Sequence, residues 1–258
     1  MTPRIYVSPL AKGTSEIKLA EDTIRYLRNV LRLGPGDEVL FFDGTGWEYR
    51  SVIEGFEDRG GTARIVAMQH IPLEIPIRIT LAQGLPKGDK MEFIVQKATE
   101  LGVARIVPFR SSRTVPRRTE ERAARRLERW RRIAAEAAEQ CGRGDVPEIT
   151  ESLPFREALG ASGAGPLKII FWEAERSRSI REILKGSEAR SAKEFFLVVG
   201  PEGGLSEEEV QIARESGFLT ASLGHLVLRV ETAAVAILAI FQYECGLIGA
   251  LKRNAHDG

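Results

Sequence analysis

Apolar positions follow two different rhythms along the chain. Up to residue 72 they come in short, largely alternating runs, so that 38–43, 46–56 and 62–68 read as strands, with Asp43-Gly44-Thr45-Gly46 and Arg59-Gly60-Gly61 as the turns between them. One helical period interrupts this pattern. Ile24, Leu27, Val30 and Leu31 recur at helix spacing over 21–31, and Gly34-Pro35-Gly36 ends the run. A small β-barrel carrying one helix is the expected product.

His70-Ile71-Pro72-Leu73-Glu74-Ile75-Pro76 has two prolines within five positions and reads as a connector, which places the boundary between residues 72 and 73. Beyond it, strands alternate with helices. Strands are predicted at 77–83, 105–109, 168–172, 195–199 and 219–223, and helices at 89–101, 120–140, 180–184, 207–216 and 233–241. The last helix is apolar on every face, as expected of one buried all round. Such alternation argues for an α/β fold with a parallel sheet covered by helices, and ligands in such sheets bind beyond the carboxyl ends of the strands.

Composition changes this picture little. The 258 residues are 43% hydrophobic and 28% charged, ordinary for a soluble protein. The net charge is +1, which is silent about a polyanionic partner. Local charge is more informative. Residues 1–72 hold nine basic and ten acidic side chains, whereas 105–132 carry eleven arginines against three glutamates, a net of +8. Arg113, Arg117, Arg118, Arg122, Arg125, Arg126 and Arg129 form a basic belt suited to RNA phosphates. Arg4, Arg28 and Arg32 are further candidates, the last two lying four apart on the predicted helix. Cys141 and Cys245 are too few for a disulfide framework, read as packing residues, and suit a reducing cytoplasm. The three histidines have no metal-ligand spacing, so no metal is expected, and no apolar run is long enough to span a membrane.

The chemistry concentrates in two late stretches. Phe195 to Val199 is a buried strand that breaks at Gly200-Pro201-Glu202-Gly203-Gly204, and Ser206 with Glu209 forms a capping box for the next helix. Strand, glycine turn and helix start surround a cavity with backbone N–H groups. There is no Gly-x-x-x-x-Gly-Lys-Ser/Thr, so a P-loop is excluded, and Gly160 to Gly165 precedes a strand and reads as a flexible loop. A turn with backbone donors and no cationic side chain suits a ligand that is neutral or positive near the protein. The second stretch, 222–233, brings Leu223, Gly224, Leu228, Arg229 and Glu231 to the mouth of the final helix.

Val-Gly-Pro-Glu-Gly-Gly-Leu-Ser at 199–206, paired with Leu-Gly-x-x-x-Leu-Arg-x-Glu-Thr-Ala at 223–233, resembles the ribosomal RNA small subunit methyltransferase E family of the SPOUT class. The likeness runs nearly end to end, through Arg4-Ile5-Tyr6, 31–37, 90–103 and Glu139-Gln140-Cys141-Gly142-Arg143. It implies an N-terminal PUA-like RNA-binding domain over 1–72 and a SPOUT methyltransferase domain with a C-terminal trefoil knot over 73–258. It implies methylation of uridine N3 in 16S ribosomal RNA, with free RNA or the small ribosomal subunit as partner, by a cytoplasmic homodimer. S-adenosylmethionine would be held by Val199, Gly200, Pro201, Glu202, Gly203, Gly204, Leu223, Gly224, Leu228 and Thr232. Arg229 would stabilise charge on the uracil oxygens, and Glu231 would act as base or orient Arg229. Two alternatives remain: a related knotted enzyme acting on transfer RNA or another ribosomal site, and a non-catalytic RNA-binding protein of the same fold. The sequence departs from the family at His225-Leu226, where Pro-Arg is usual, and at Val230, where threonine is common.

Overall fold

The computed structural model describes residues 2–11, 13–57, 60–71, 77–113, 120–246 and 248–249. The chain divides into two compact units, Met1–Glu74 with Ala135–Val146, and Ile75–Ala134 with Pro147–Gly258. The expected boundary falls within 72–76, outside the described residues. That 135–146 joins the first unit has no local signal in the sequence.

The first unit holds β1 (Arg4–Tyr6), β2 (Glu16–Leu19), α1 (Glu21–Asn29), β3 (Glu38–Phe42), β4 (Trp47–Glu57) and β5 (Gly60–His70). Its sheet runs β1-β3-β4-β5-β2, with β1 parallel to β3 and the remaining pairs antiparallel. Register shifts at Arg50/Ser51 and Ile53/Gly55 interrupt the long β4–β5 ladder, the irregularity that bends a ribbon around its core. Ile17, Leu27, Phe41, Ile53 and Ala63 fill that core.

Two expectations change here. Helix α1 stops at Asn29, and the chain turns at Arg32 with φ 58, so Arg28 and Arg32 do not share a helix face. A left-handed conformation costs a non-glycine residue about 1–2 kcal/mol. The Leu33 N–H, donating to Leu27 O at 2.9 Å, helps hold the turn. His70 is the last residue of β5 instead of the start of a connector, and its ring meets Trp47 edge-on at 5.0 Å.

Residues 135–146 are stitched to β1 and the β3–β4 turn. Arg4 Nε donates to Glu48 Oε1 at 2.6 Å, Nη1 to Ala138 O at 3.1 Å, and Nη2 to Arg143 O. The Tyr6 N–H donates to Glu139 Oε1 at 2.6 Å, and the Gly46 N–H to Gly144 O at 3.0 Å. Arg143 in turn pairs with Asp145 at 2.7 Å. Cys141, expected to pack, is exposed.

The second unit begins with β6 (Arg78–Gly84), α2 (Lys90–Glu100), β7 (Arg105–Arg110) and α3 (Glu120–Cys141), whose end from Ala135 belongs to the first unit. It continues with β8 (Glu148–Ile149), β9 (Leu153–Pro154), α4 (Phe155–Gly160), β10 (Leu167–Phe171), α5 (Ile180–Lys185) and α6 (Ser187–Ser191). It ends with β11 (Glu194–Val199), α7 (Glu207–Glu215), β12 (Leu219–Ala221) and α8 (Val230–Glu244). The sheet is parallel throughout, in the order β12-β10-β11-β6-β7-β8, with β9 also on β7.

Strand residues alternate between two buried faces. On one, Ala82, Ile170, Phe196 and Val198 pack with Phe155 and Leu159 of α4 and Val210 and Ala213 of α7. On the other, Phe195 meets Phe241 of α8 edge-on at 5.0 Å. Helix α4, within which Gly160 lies, takes part of what the sequence suggested was loop. Helix α8 begins three residues before the expected start. It buries Ala234, Ile237, Leu238 and Phe241, yet leaves Ile240 and Tyr243 36% and 66% exposed, so it is not buried all round.

Candidate active site

The carboxyl ends of β6 and β11 come very close. A Cβ on Gly84 would stand 2.6 Å from both Cδ and N of Pro201, and one on Gly200 would stand 2.9 Å from Leu205 Cγ. Gly204 takes φ 69, a conformation side chains rarely adopt. These glycines permit the turn. Behind it the expected capping box is present: the Glu209 N–H donates to Ser206 Oγ at 3.1 Å and the Ser206 N–H to Glu209 Oε2 at 2.9 Å. Glu209 also accepts from the Ser112 N–H at 2.8 Å, and Arg113 Nη1 donates to Gly203 O at 2.8 Å. Gln83 lies fully buried beneath, its Nε2 donating to Gly84 O at 3.0 Å, while its Oε1 has no partner among the described residues.

The second loop is anchored just past β12. The Ser222 N–H donates to Arg178 O at 2.9 Å, and the Ile180 N–H donates to Ser222 O at 3.0 Å. Nearby, Glu175 is 5% exposed and accepts from Thr220 Oγ1 at 2.5 Å and from Ser177 Oγ and N–H at 2.7 Å. The Thr220 and Ser177 hydroxyls, aided by backbone N–H groups, outweigh burial and hold its carboxyl at about 2. Gly224 has φ 123 and donates its N–H to Ser222 Oγ at 3.2 Å. From His225 through Arg229, the backbone N–H groups have no acceptor among the described residues. His225, Leu226, Val227 and Arg229 are exposed, so these N–H groups need no protein acceptor and the loop is open to solvent or to a ligand.

Arg229 is the exposed N-cap residue of α8, and Glu231 lies in that helix's first turn. Among the described residues no ion pair joins them. Glu231 instead faces Lys90, with Nζ 3.6 Å from Oε2, and the same ammonium lies 3.0 Å from Glu202 Oε1. Glu202 accepts from the Lys87 N–H with both oxygens, at 3.0 and 3.1 Å. Its carboxylate therefore serves the approach to α2, not the start of α7. Burial opposes its ionisation, but Lys90 and the Lys87 N–H more than offset this and keep its carboxyl below the ordinary range.

Among the expected cofactor residues, Val199 and Pro201 are buried, Leu223, Leu228 and Gly204 half-buried, and Glu202, Gly203, Gly224 and Thr232 exposed. The expected RNA contacts separate. Arg4 is spent on Glu48 and two carbonyls, and Arg113 on the Gly203 turn. Arg28, 5.5 Å over the Phe56 ring, Arg32 and Arg122 are exposed. Arg117 and Arg118 lie outside the described residues. Of the remaining belt, Arg125 is exposed, Arg126 lies 5.6 Å over Trp130 and Arg129 pairs with Glu92 at 2.7 Å. Gln83, Lys90 and Glu175 escaped sequence reasoning because Val199 and Gly200, Glu202 and Glu231, and Thr220, which meet them in the fold, are distant in the chain.

Two surface hollows lie elsewhere. One of about 240 Å³ is lined by Ile24, Arg28 and Glu57, and one of about 190 Å³ by Arg78, Arg105 and Glu194 at the amino ends of the strands. The glycine turn after β11 and the 222–229 loop lie at the opposite, carboxyl ends of the strands. Among the described residues, no His, Cys, Asp and Glu group could hold a metal ion, and no helix is long and apolar enough to cross a membrane.

Residues 73–242 match the RNA methyltransferase domain family, and residues 19–66 match the RNA methyltransferase PUA domain. Fold and site thus fall in the class of PUA-bearing RNA methyltransferases. The ribosomal RNA small subunit methyltransferase E of Bacillus subtilis is 31% identical over 235 residues, covering 88% of this chain and 90% of that one. The protein of that name from Synechocystis is 32% identical over 240 residues, 93% of this chain and 77% of the relative. The chain belongs to the ribosomal RNA small subunit methyltransferase E family. A family structure from Neisseria gonorrhoeae, bound to S-adenosyl methionine, superposes with a TM-score of 0.82 at 34% identity, covering 94% of this chain and 98% of that one. Lpg2936 of Legionella pneumophila, in complex with bound SAM, gives 0.84 at 32% identity, with coverage of 94% and 98%.

Proposed function

We propose that this protein transfers a methyl group from S-adenosylmethionine to N3 of a uridine in 16S ribosomal RNA. The observation that carries the reading is the glycine turn at the carboxyl end of β11, closed against Gly84 of β6, in a chain that superposes on two S-adenosylmethionine-bound structures. Arg113 and Lys90 reach this turn but are engaged there by Gly203 O and Glu202, and the main chain of the turn and of the exposed 224–229 loop suits an adenine read by backbone groups. The residues that would hold the cofactor are Val199, Gly200, Pro201, Glu202, Gly203, Gly204, Leu223, Gly224, Leu228 and Thr232. S-adenosylmethionine supplies an electrophilic methyl group.

The chain's part is alignment and charge. Uracil N3 is barely ionised at neutral pH and must lose its proton as the new N–C bond forms, the methyl–sulfur bond breaks and S-adenosylhomocysteine is left behind. Arg229, exposed and without a carboxylate partner among the described residues, would stabilise charge on the flanking oxygens. Glu231, two residues on, is the candidate to accept the proton or to orient Arg229. Arg28 and Arg32 in the first unit and Arg122 in the second remain open to phosphates, and the target base must leave its stack to be reached. The apolar surface of α8 at Ile240 and Tyr243, with Leu226 and Val227 80% and 83% exposed, supports a homodimer.

The test is incubation of the protein with methyl-labelled S-adenosylmethionine and unmodified small ribosomal subunits or free 16S RNA, followed by mapping of the label. Label at N3 of a single uridine is expected. Label on another atom or another RNA overturns the substrate assignment, and failure to bind S-adenosylmethionine in calorimetry overturns the enzyme.

A further inference from the structure

The chemistry above does not use Lys90. Lys90 opens α2, and its ammonium stands between two carboxylates from different parts of the site: Glu202 of the glycine turn at 3.0 Å and Glu231 of α8 at 3.6 Å. Glu231 Oε2 is buried and accepts no hydrogen bond among the described residues, so this ammonium is its counter-charge. Glu202 is fixed a second time by the Lys87 N–H. Among the described residues, the charged groups facing Lys90 from neighbouring elements are these two glutamates, and its proton is held more firmly than usual, by the Glu202 hydrogen bond first and by Glu231 in addition.

Without a cation between them, two neighbouring carboxylates repel, and one relieves the repulsion by taking a proton or finding another cation. For Glu231 that cation is two residues away along the chain, at Arg229. Building on the transfer reaction above, we propose that Lys90 is a positioning residue: it ties the cofactor turn to the start of α8 and occupies Glu231, leaving the Arg229 guanidinium open to the anionic base. A partly exposed ion pair adds little to stability, so the role of Lys90 should register in turnover far more than in folding.

Lys90→Met and Lys90→Arg are compared with wild type in melting temperature, S-adenosylmethionine calorimetry, and kcat and KM across pH. Lys90→Met should fold normally and lose roughly 10- to 100-fold in kcat, as expected of a misplaced catalytic group. The acid limb of its kcat profile should move up by about one unit, because the carboxylates lose their counter-charge. Lys90→Arg should restore most of the rate. Adding Glu231→Gln to Lys90→Met should cost less than it does in wild type, since the two substitutions act on one interaction. A Lys90→Met protein with wild-type kcat and an unmoved profile, or a loss that Arg does not rescue, overturns the proposal alone. A wild-type protein that neither binds the cofactor nor methylates RNA overturns the underlying reaction, and the proposal with it.

Discussion

At the scale of single residues, the site depends on which charges are committed and which are free. Arg229 has no carboxylate to satisfy among the described residues, so Arg229→Ala should leave the fold intact by circular dichroism. It should lower methyl transfer by roughly 100- to 1000-fold, the range seen when a donor to developing negative charge is removed. Glu175 is the opposite case, a carboxylate fully engaged by Thr220 and Ser177. Its folded value of about 2 lies below the ordinary 4.5, so the stability it contributes is complete above about 4.5 and lost as the pH falls toward 2. Glu175→Gln should therefore cost about 2 kcal/mol at neutral pH in urea unfolding. Its disadvantage against wild type should shrink by about pH 3.

At the scale of elements, the turn after β11 is limited by the closeness of β6. Gly84→Ala would press a methyl group to 2.6 Å from the Pro201 nitrogen, a backbone atom that can yield only if the turn moves. S-adenosylmethionine binding should weaken at least tenfold in calorimetry, with about 1–3 kcal/mol of lost stability. Much of this architecture could be read from the sequence. Strands β6, β7, β10 and β11 and the long helices of the second unit have runs of apolar residues long enough to show their period, and the Ser206–Glu209 cap is written within four consecutive residues. What could not be read is short or non-local. β1, β2, β8, β9 and α6 span two to five residues each, too few for a period to emerge. The pairing of Lys90 with Glu202 and Glu231, and of Arg113 with Gly203, joins residues about a hundred positions apart, and nothing in their neighbourhoods announces it. The same limit explains Arg4: its charge suggested a phosphate contact, and only tertiary structure reveals Glu48 and the carbonyls that claim it.

At the scale of the molecule, α8 displays apolar surface that one chain does not cover. Tyr243→Glu, at a position 66% exposed, should leave the far-ultraviolet circular dichroism unchanged while shifting the mass in light scattering from that of the proposed homodimer to that of a monomer. An unshifted mass would remove this helix from the interface. Residues 135–146 bear on how the protein can be dissected. Glu139 and the carbonyls of Ala138, Arg143 and Gly144 are satisfied by Arg4, Tyr6 and Gly46. A gene cut at the proline connector therefore yields no self-sufficient half: a fragment from Leu73 onward would carry these acceptors stripped of their donors, and should be recovered mostly in inclusion bodies. Co-expression with the segment ending at Pro72 should return it to the soluble fraction, making complementation the practical route to studying either half.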